Sequence, residues 1–141
     1  MLRNLEQDYE VIIVDTPPAY NFFTLSALIA ADRCLIPFDC DDFSRRALYT
    51  LLENLAETQE DHNDDLELDG IVVNQYQSRA RLPNDIIDEL IDEELPVLET
   101  RVSHSVKMRE SHSVSTPLVF LAPSHKLTQE LEALYDEIEA L

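Results

Sequence analysis

Asp15 is the residue best placed to do chemistry, because of what precedes it. Val11, Ile12, Ile13 and Val14 form an unbroken β-branched apolar run, the pattern of a strand buried on both faces of a parallel sheet. A carboxylate straight after such a run projects at the strand's carboxyl end, where open α/β sheets bind ligands, and there it can help to hold a divalent cation. Asn74 follows Ile71, Val72 and Val73 in the same way. It can serve either a ligand or a turn, since Asn is a frequent turn residue. Holding phosphates would further require a glycine-rich loop whose N–H groups cradle the oxygens. The chain has a single glycine, Gly70, and neither Lys107 nor Lys126 lies in a glycine-rich setting. The residues therefore carry one half of a nucleotide site.

Other chemistries find less support. Cys34 and Cys40 are too few for a disulfide scaffold and match no metal-knuckle spacing, so they read as reduced residues in or beside a strand. His104 and His112 sit in the polar echoes Ser-His-Ser and read as solvated loop histidines rather than metal ligands. No Ser–His–Asp or Cys–His arrangement stands at a recognisable spacing, and no catalytic residue is assigned.

Charge is the second strong feature. The formal net charge is −19 over 141 residues, and it is unevenly spread. Glu53, Glu57, Glu60, Asp61, Asp64, Asp65, Glu67 and Asp69 follow one another without a Lys or Arg, and so do the acids of residues 84–99. Such runs read as solvated faces. Between residues 100 and 126 the balance reverses, with Arg101, Lys107, Arg109 and Lys126 against Glu110 alone; Arg79 and Arg81 form a smaller basic pair. Overall charge argues against strong nucleic-acid affinity by the whole chain, but it leaves room for a local basic patch.

These residues need elements to position them. A composition 45% hydrophobic and 28% charged is that of a folded domain, and the length suits one core, so residues 1–141 are expected to form a single domain. No apolar run reaches the roughly 20 residues of a membrane span, and the N-terminus lacks the apolar segment of a signal peptide. Both points suggest a cytoplasmic protein. Buried strands are expected at residues 11–14, 33–38 and 68–74, with shorter ones at 96–99 and 117–121. Helices are expected over residues 21–31, from Asp41 or Asp42 until the polar stretch 57–65, from Leu82-Pro83, and after a Ser124 cap. A helical turn is expected within 103–113. Strand and helix alternate, so the fold class is α/β, a mostly parallel sheet flanked by helices.

Taken in order, the motifs resemble one family. Val11-Ile12-Ile13-Val14-Asp15-Thr16-Pro17-Pro18, Thr24-Leu25-Ser26-Ala27-Leu28-Ile29-Ala30-Ala31-Asp32 and Cys34-Leu35-Ile36-Pro37-Phe38 are similar to segments of the ParA/MinD-like partition ATPases. So are Gly70-Ile71-Val72-Val73-Asn74-Gln75-Tyr76, Ser105-Val106-Lys107-Met108-Arg109-Glu110-Ser111 and Ala122-Pro123-Ser124-His125-Lys126. The resemblance implies a P-loop NTPase fold and a role in plasmid or chromosome partitioning. It also implies a nucleotide-sandwich dimer that binds DNA non-specifically, and a partition partner protein that stimulates ATP hydrolysis. It places Asp15 near Mg2+ through water, Asn74 and Pro123 near the base, and Arg79, Arg81, Arg101, Lys107 and Arg109 in regions turned towards DNA.

The departure from that family is the glycine-rich lysine loop, which its members carry before the Asp15 strand. The chain therefore reads as a C-terminal portion of such a protein, an incomplete P-loop domain. ATP and Mg2+ are expected only when the N-terminal portion is present, and the isolated chain is expected to be inactive. In relatives the P-loop strand lies beside the Asp15 strand, so an open edge lined by Ile12, Val14, Ile71 and Val73 is expected, covered by self-association or by residues 1–6. The alternative function is a non-catalytic interaction module that pairs with itself or a full-length relative through that edge. No membrane partner is expected.

Overall fold

The computed structural model describes residues 5, 7–17 and 20–141. They divide into two compact units, one formed by residues up to Cys34 with Tyr49–Glu67, the other by Leu35–Leu48 with Leu68–Leu141. Eight elements follow one another among the described residues: α1 (Phe22–Ala30), β1 (Arg33–Asp39), α2 (Asp42–Asp61), β2 (Glu67–Asn74), α3 (Arg81–Asp92), α4 (Val106–Ser113), α5 (Leu118–Leu121) and α6 (Lys126–Glu139). The architecture is α/β, a parallel sheet flanked by helices.

In the first unit α1 starts where Asn21 Oδ1 accepts the amides of Phe23 at 2.9 Å and Thr24 at 3.3 Å, an N-cap that occupies two otherwise unpaired donors. Its last carbonyls are held by Asn63, whose Nδ2 donates to Leu28 O and Ala31 O. Thr24 and Leu28, one turn apart, are buried, while Phe22 and Phe23 face water. Residues 57–61, expected as loop, belong to α2 instead: Leu55 and Thr58 are buried on it, and Thr58 Oγ1 donates back to Asn54 O at 2.8 Å. Burial of that face continues the helix through a stretch whose composition alone is merely polar.

The expected first strand does not form. Residues 11–14 carry no strand assignment, and Ile13 is 90% exposed. A β-branched run favours a pleated surface but becomes a strand only when another backbone takes up its N–H and C=O groups. Asp15 is exposed and follows a segment without regular secondary structure rather than a strand end.

In the second unit β1 pairs with β2. β1 alternates, with Ile36 and Phe38 buried and Leu35 and Pro37 exposed, so one face is covered rather than both. β2 is the better-buried strand, with Ile71 and Val73 fully inaccessible. Its second edge is taken by residues 96–102: Ile71 N donates to Pro96 O at 2.8 Å, Leu98 N to Ile71 O at 3.0 Å and Val102 N to Val73 O at 2.8 Å, with parallel bridges Ile71–Val97 and Tyr76–Ser103. Ile71 and Val73 therefore line no open edge, contrary to expectation, and residues 1–4 and 6, expected to cover one, lie outside the described residues. Gly70 serves this packing. A Cβ there would stand 2.6 Å from Leu98 Cδ2 and 3.2 Å from Pro96 O, so the only glycine lets two backbones close on each other.

Val72, Leu98, Val102, Leu118 and Leu127 form the core on one side, extended by Leu131, Leu134 and Ile138 of α6. The outer edge of residues 99–103 is covered by carboxylates of α6. Glu137 accepts the amides of Glu99 at 2.7 Å and Thr100 at 2.9 Å, and Glu130 accepts Ser103 N at 2.9 Å. Those donors are thus already satisfied, and residues 117–121, expected as a strand, form the short helix α5 with only Leu118 buried. The cap of α6 is His125, whose Nδ1 accepts Leu127 N, and not Ser124.

Candidate functional site

β1 and β2 end together at Asp39 and Asn74, and Asn74 Nδ2 donates to Asp39 Oδ1 at 3.1 Å. Straight after Asn74 the backbone turns through a left-handed residue, Gln75 with φ 53°, a conformation that L residues adopt only when their surroundings hold them there. Gln75 Oε1 and His104 Nδ1 are 2.6 Å apart, so the imidazole donates there. Tyr76 N donates to Val102 O and His104 N to Tyr76 O, which extends the parallel pairing past the strand ends.

Tyr76 organises the next layer. Its hydroxyl donates to Asn84 Oδ1 at 2.6 Å and accepts from Arg101 Nη1 at 2.9 Å, and the Arg101 guanidinium lies 5.0 Å from the ring centroid. Arg101 is therefore held by stacking as well as by a hydrogen bond. Beside this layer opens a cleft of about 680 Å3, lined by Tyr76, Arg79, Ser103, His104, Lys126 and their neighbours. The N-caps of α3, α4 and α6, namely Ala80, Ser105 and His125, all stand in its wall. Helix N-termini present unpaired N–H groups and positive dipole ends. Among the described residues no Asp or Glu lines the cleft, although the chain carries −19 overall. Glu130 is bound by two of the lining residues, Ser103 and Lys126. Its partial burial raises the carboxyl, and the hydrogen bonds from Ser103 and Lys126 outweigh that and hold it below its ordinary value.

The expected site residues divide between the two units. Asp15 belongs to the first, where it is a solvent-exposed carboxylate. In the second, Asn74 is half-buried and Pro123 exposed in the turn before α6. Arg79 and Arg109 are exposed, Arg81 pairs with Asp85 at 3.1 Å, Lys107 with Glu110 at 2.6 Å, and Arg101 with Tyr76. Sequence reasoning missed Asp39, although it follows the run ending at Phe38 just as Asn74 follows Val73. It also missed Glu130 and Glu137, whose spacing of seven places them on one side of a helix.

Asn74 offers a side-chain amide at a strand's carboxyl end. A metal is poorly supported. Among the described residues no three His, Cys, Asp or Glu side chains gather to hold one, and magnesium bound through a single carboxylate needs waters and phosphates for its remaining positions. Asp15 by itself therefore makes no metal centre. Among the described residues no helix is long and apolar enough to cross a membrane.

The profile of the family described as "AAA domain" matches residues 1–68. The chain is 30% identical over 138 residues to the chromosome partitioning protein ParA of Myxococcus xanthus, covering 97% of this chain and 49% of that protein. It spans about half the length of the curated relatives it matches. Among solved structures it resembles cobyrinic acid a,c-diamide synthase from Mycobacterium smegmatis with bound ATP analog and magnesium, with a TM-score of 0.68 and 31% identity over 74% of this chain and 43% of that one. The Pyrococcus furiosus cell division ATPase MinD matches 99% of this chain and 55% of its own, with a TM-score of 0.74 at 19% identity, and so bears on the fold alone. In its ordered motifs, its relatives and its fold, the chain is similar to ATPases of the ParA/MinD type.

Proposed function

We propose that the chain supplies the base-side and DNA-facing part of a partition ATPase. Asn74 and Pro123 flank the base, and Arg79, Arg81, Arg101, Lys107 and Arg109 face the DNA backbone. Asp15 offers one carboxylate towards a magnesium ion, and no step of hydrolysis is assigned to it. The single observation that carries the reading is the acid-free cleft beside the β2 strand end in a chain of charge −19, walled by three helix N-termini with Arg79 and Lys126. Such a surface suits phosphates of an extended polymer, whose binding weakens steeply with salt and depends little on sequence. ATP, a partition partner and dimerisation enter through the family resemblance, and one relative is named as a chromosome partitioning protein.

The test is gel retention of random-sequence duplex DNA by the complete protein at low salt. Replacing Arg101, Lys107 and Arg109 with Glu is expected to abolish retention while nucleotide binding persists. Retention unchanged in that variant would refute the DNA-facing assignment. A second reading, a non-catalytic interaction module, is favoured by the exposure of Val11, Ile13 and Val14, apolar groups that a partner strand would cover.

A further inference from the structure

We propose that the first turn of α6 is a proton-operated switch, closed by neutral His125 and opened by its imidazolium. His125 caps the helix with its ring, whose Nδ1 accepts Leu127 N at 3.1 Å. Only a neutral imidazole with its proton on Nε2 can accept there; an imidazolium donates from both nitrogens. Protonation therefore removes the cap and sets a cation against the positive end of the helix. Leu127 is 2% exposed, so water reaches the freed amide only if the turn loosens. The usual caps Asn, Asp and Ser accept throughout the neutral range, whereas a histidine makes the cap conditional on pH. His125 shares its cleft with Tyr76, Arg79, His104 and Lys126, the titratable and charged groups of the walls. Among the described residues no carboxylate lines that cleft to hold the imidazolium in place, and Glu130 of α6 is bound by Ser103 and Lys126. His104 behaves in the opposite way. Its Nδ1 faces Gln75 Oε1 at 2.6 Å and keeps that bond when Nε2 takes a proton. The release stays local, because Thr128 is fully buried and its Oγ1 donates to Ala122 O at 2.7 Å. Lys126 belongs to the released turn and reaches Ser103 Oγ at 3.1 Å. Acidification thus adds charge to the cleft and loosens one of its basic side chains together. None of this depends on what the cleft binds.

The test follows amide hydrogen exchange of Leu127 and Thr128 by NMR in the full chain, as protection relative to an unstructured peptide at the same pH. Between about pH 7.5 and about pH 5.5, either side of the ordinary histidine range, Leu127 is expected to lose about fivefold of its protection, the equivalent of an ordinary cap. Thr128 is expected to change by less than about twofold, as a release confined to one turn requires. His125→Asn and His125→Ser keep a cap that accepts at both pH values, so their Leu127 protection is expected to hold within about twofold. His104 is exposed, and His104→Asn is expected to retain the wild-type loss. Constant Leu127 protection in the wild type would overturn the switch. So would a loss that persists in both His125 variants or disappears with His104→Asn. Equal losses at Leu127 and Thr128 would show general loosening in acid and overturn the local device.

Discussion

Replacing Glu130 with Gln tests whether α6 is held to the strand edge by charge-assisted hydrogen bonds. The Glu130 side chain is only 16% exposed. It accepts Ser103 N at 2.9 Å and Ser103 Oγ at 2.7 Å, and it meets Lys126 Nζ at 3.0 Å. Lys126 is itself 74% exposed, so the ion pair is screened and contributes about 0.2–1 kcal/mol. The Ser103 donors lie in a drier setting, and a hydrogen bond to a charged acceptor contributes about 1.5–3 kcal/mol. Gln keeps the size but offers one acceptor oxygen without charge, so Glu130→Gln should cost about 2 kcal/mol in urea unfolding at neutral pH. Lys126→Met should cost less than about 1 kcal/mol. The pH dependence has a definite sign. The folded Glu130 carboxyl lies below its ordinary value because the Ser103 and Lys126 bonds outweigh desolvation. Its stabilisation is therefore complete above the unfolded carboxyl range and is lost as pH falls through the folded value. The gap between wild type and variant should narrow on acidification, while effects of the overall negative charge cancel in the comparison. A penalty below about 0.5 kcal/mol at neutral pH would refute the magnitude, and a penalty unchanged at acid pH would show that shape, not charge, holds the edge.

Gly70→Ala should destabilise by about 1–3 kcal/mol, the usual cost of overpacking, because its Cβ would lie 2.6 Å from the Leu98 side chain. Adding Leu98→Ala should relieve part of that clash, so strictly additive costs in the double variant would refute the contact. Burial first, then the charges of Asp39 and Asp41, push the Cys40 thiol up to about 11 against the opposing pull of Arg101. In a Cys34→Ser background, alkylation at mildly alkaline pH should therefore be at least about tenfold slower folded than unfolded in urea. Arg101→Ala should slow it further, and equal folded and unfolded rates would overturn this account.

The sequence by itself determined the local elements whose signals are chemical and short-range. A helix was expected over residues 21–31, where α1 lies, apolar runs marked β1 and β2, and Pro83 lies in the first turn of α3. Of the two polar residues that close the strands, Asn74 was legible, since it follows its run directly, while Asp39 was missed, and the ordered motifs carried the resemblance to the ParA/MinD-type ATPases. Tertiary structure decided the rest, because pairing and burial are properties of two segments at once. Residues 11–14 have strand composition but no ladder. Residues 117–121 have it as well, yet the α6 carboxylates occupy the outer donors of residues 99 and 103, and a helix forms instead. Residues 57–61 look like loop, but Leu55 and Thr58 are buried and the helix continues through them. The contacts that shape the candidate site, Asn74 with Asp39 and Tyr76 with Arg101 and Asn84, join residues 35, 25 and 8 positions apart. No period or motif along the chain marks such pairs; only the parallel closing of β2 against its neighbours brings them within hydrogen-bonding distance.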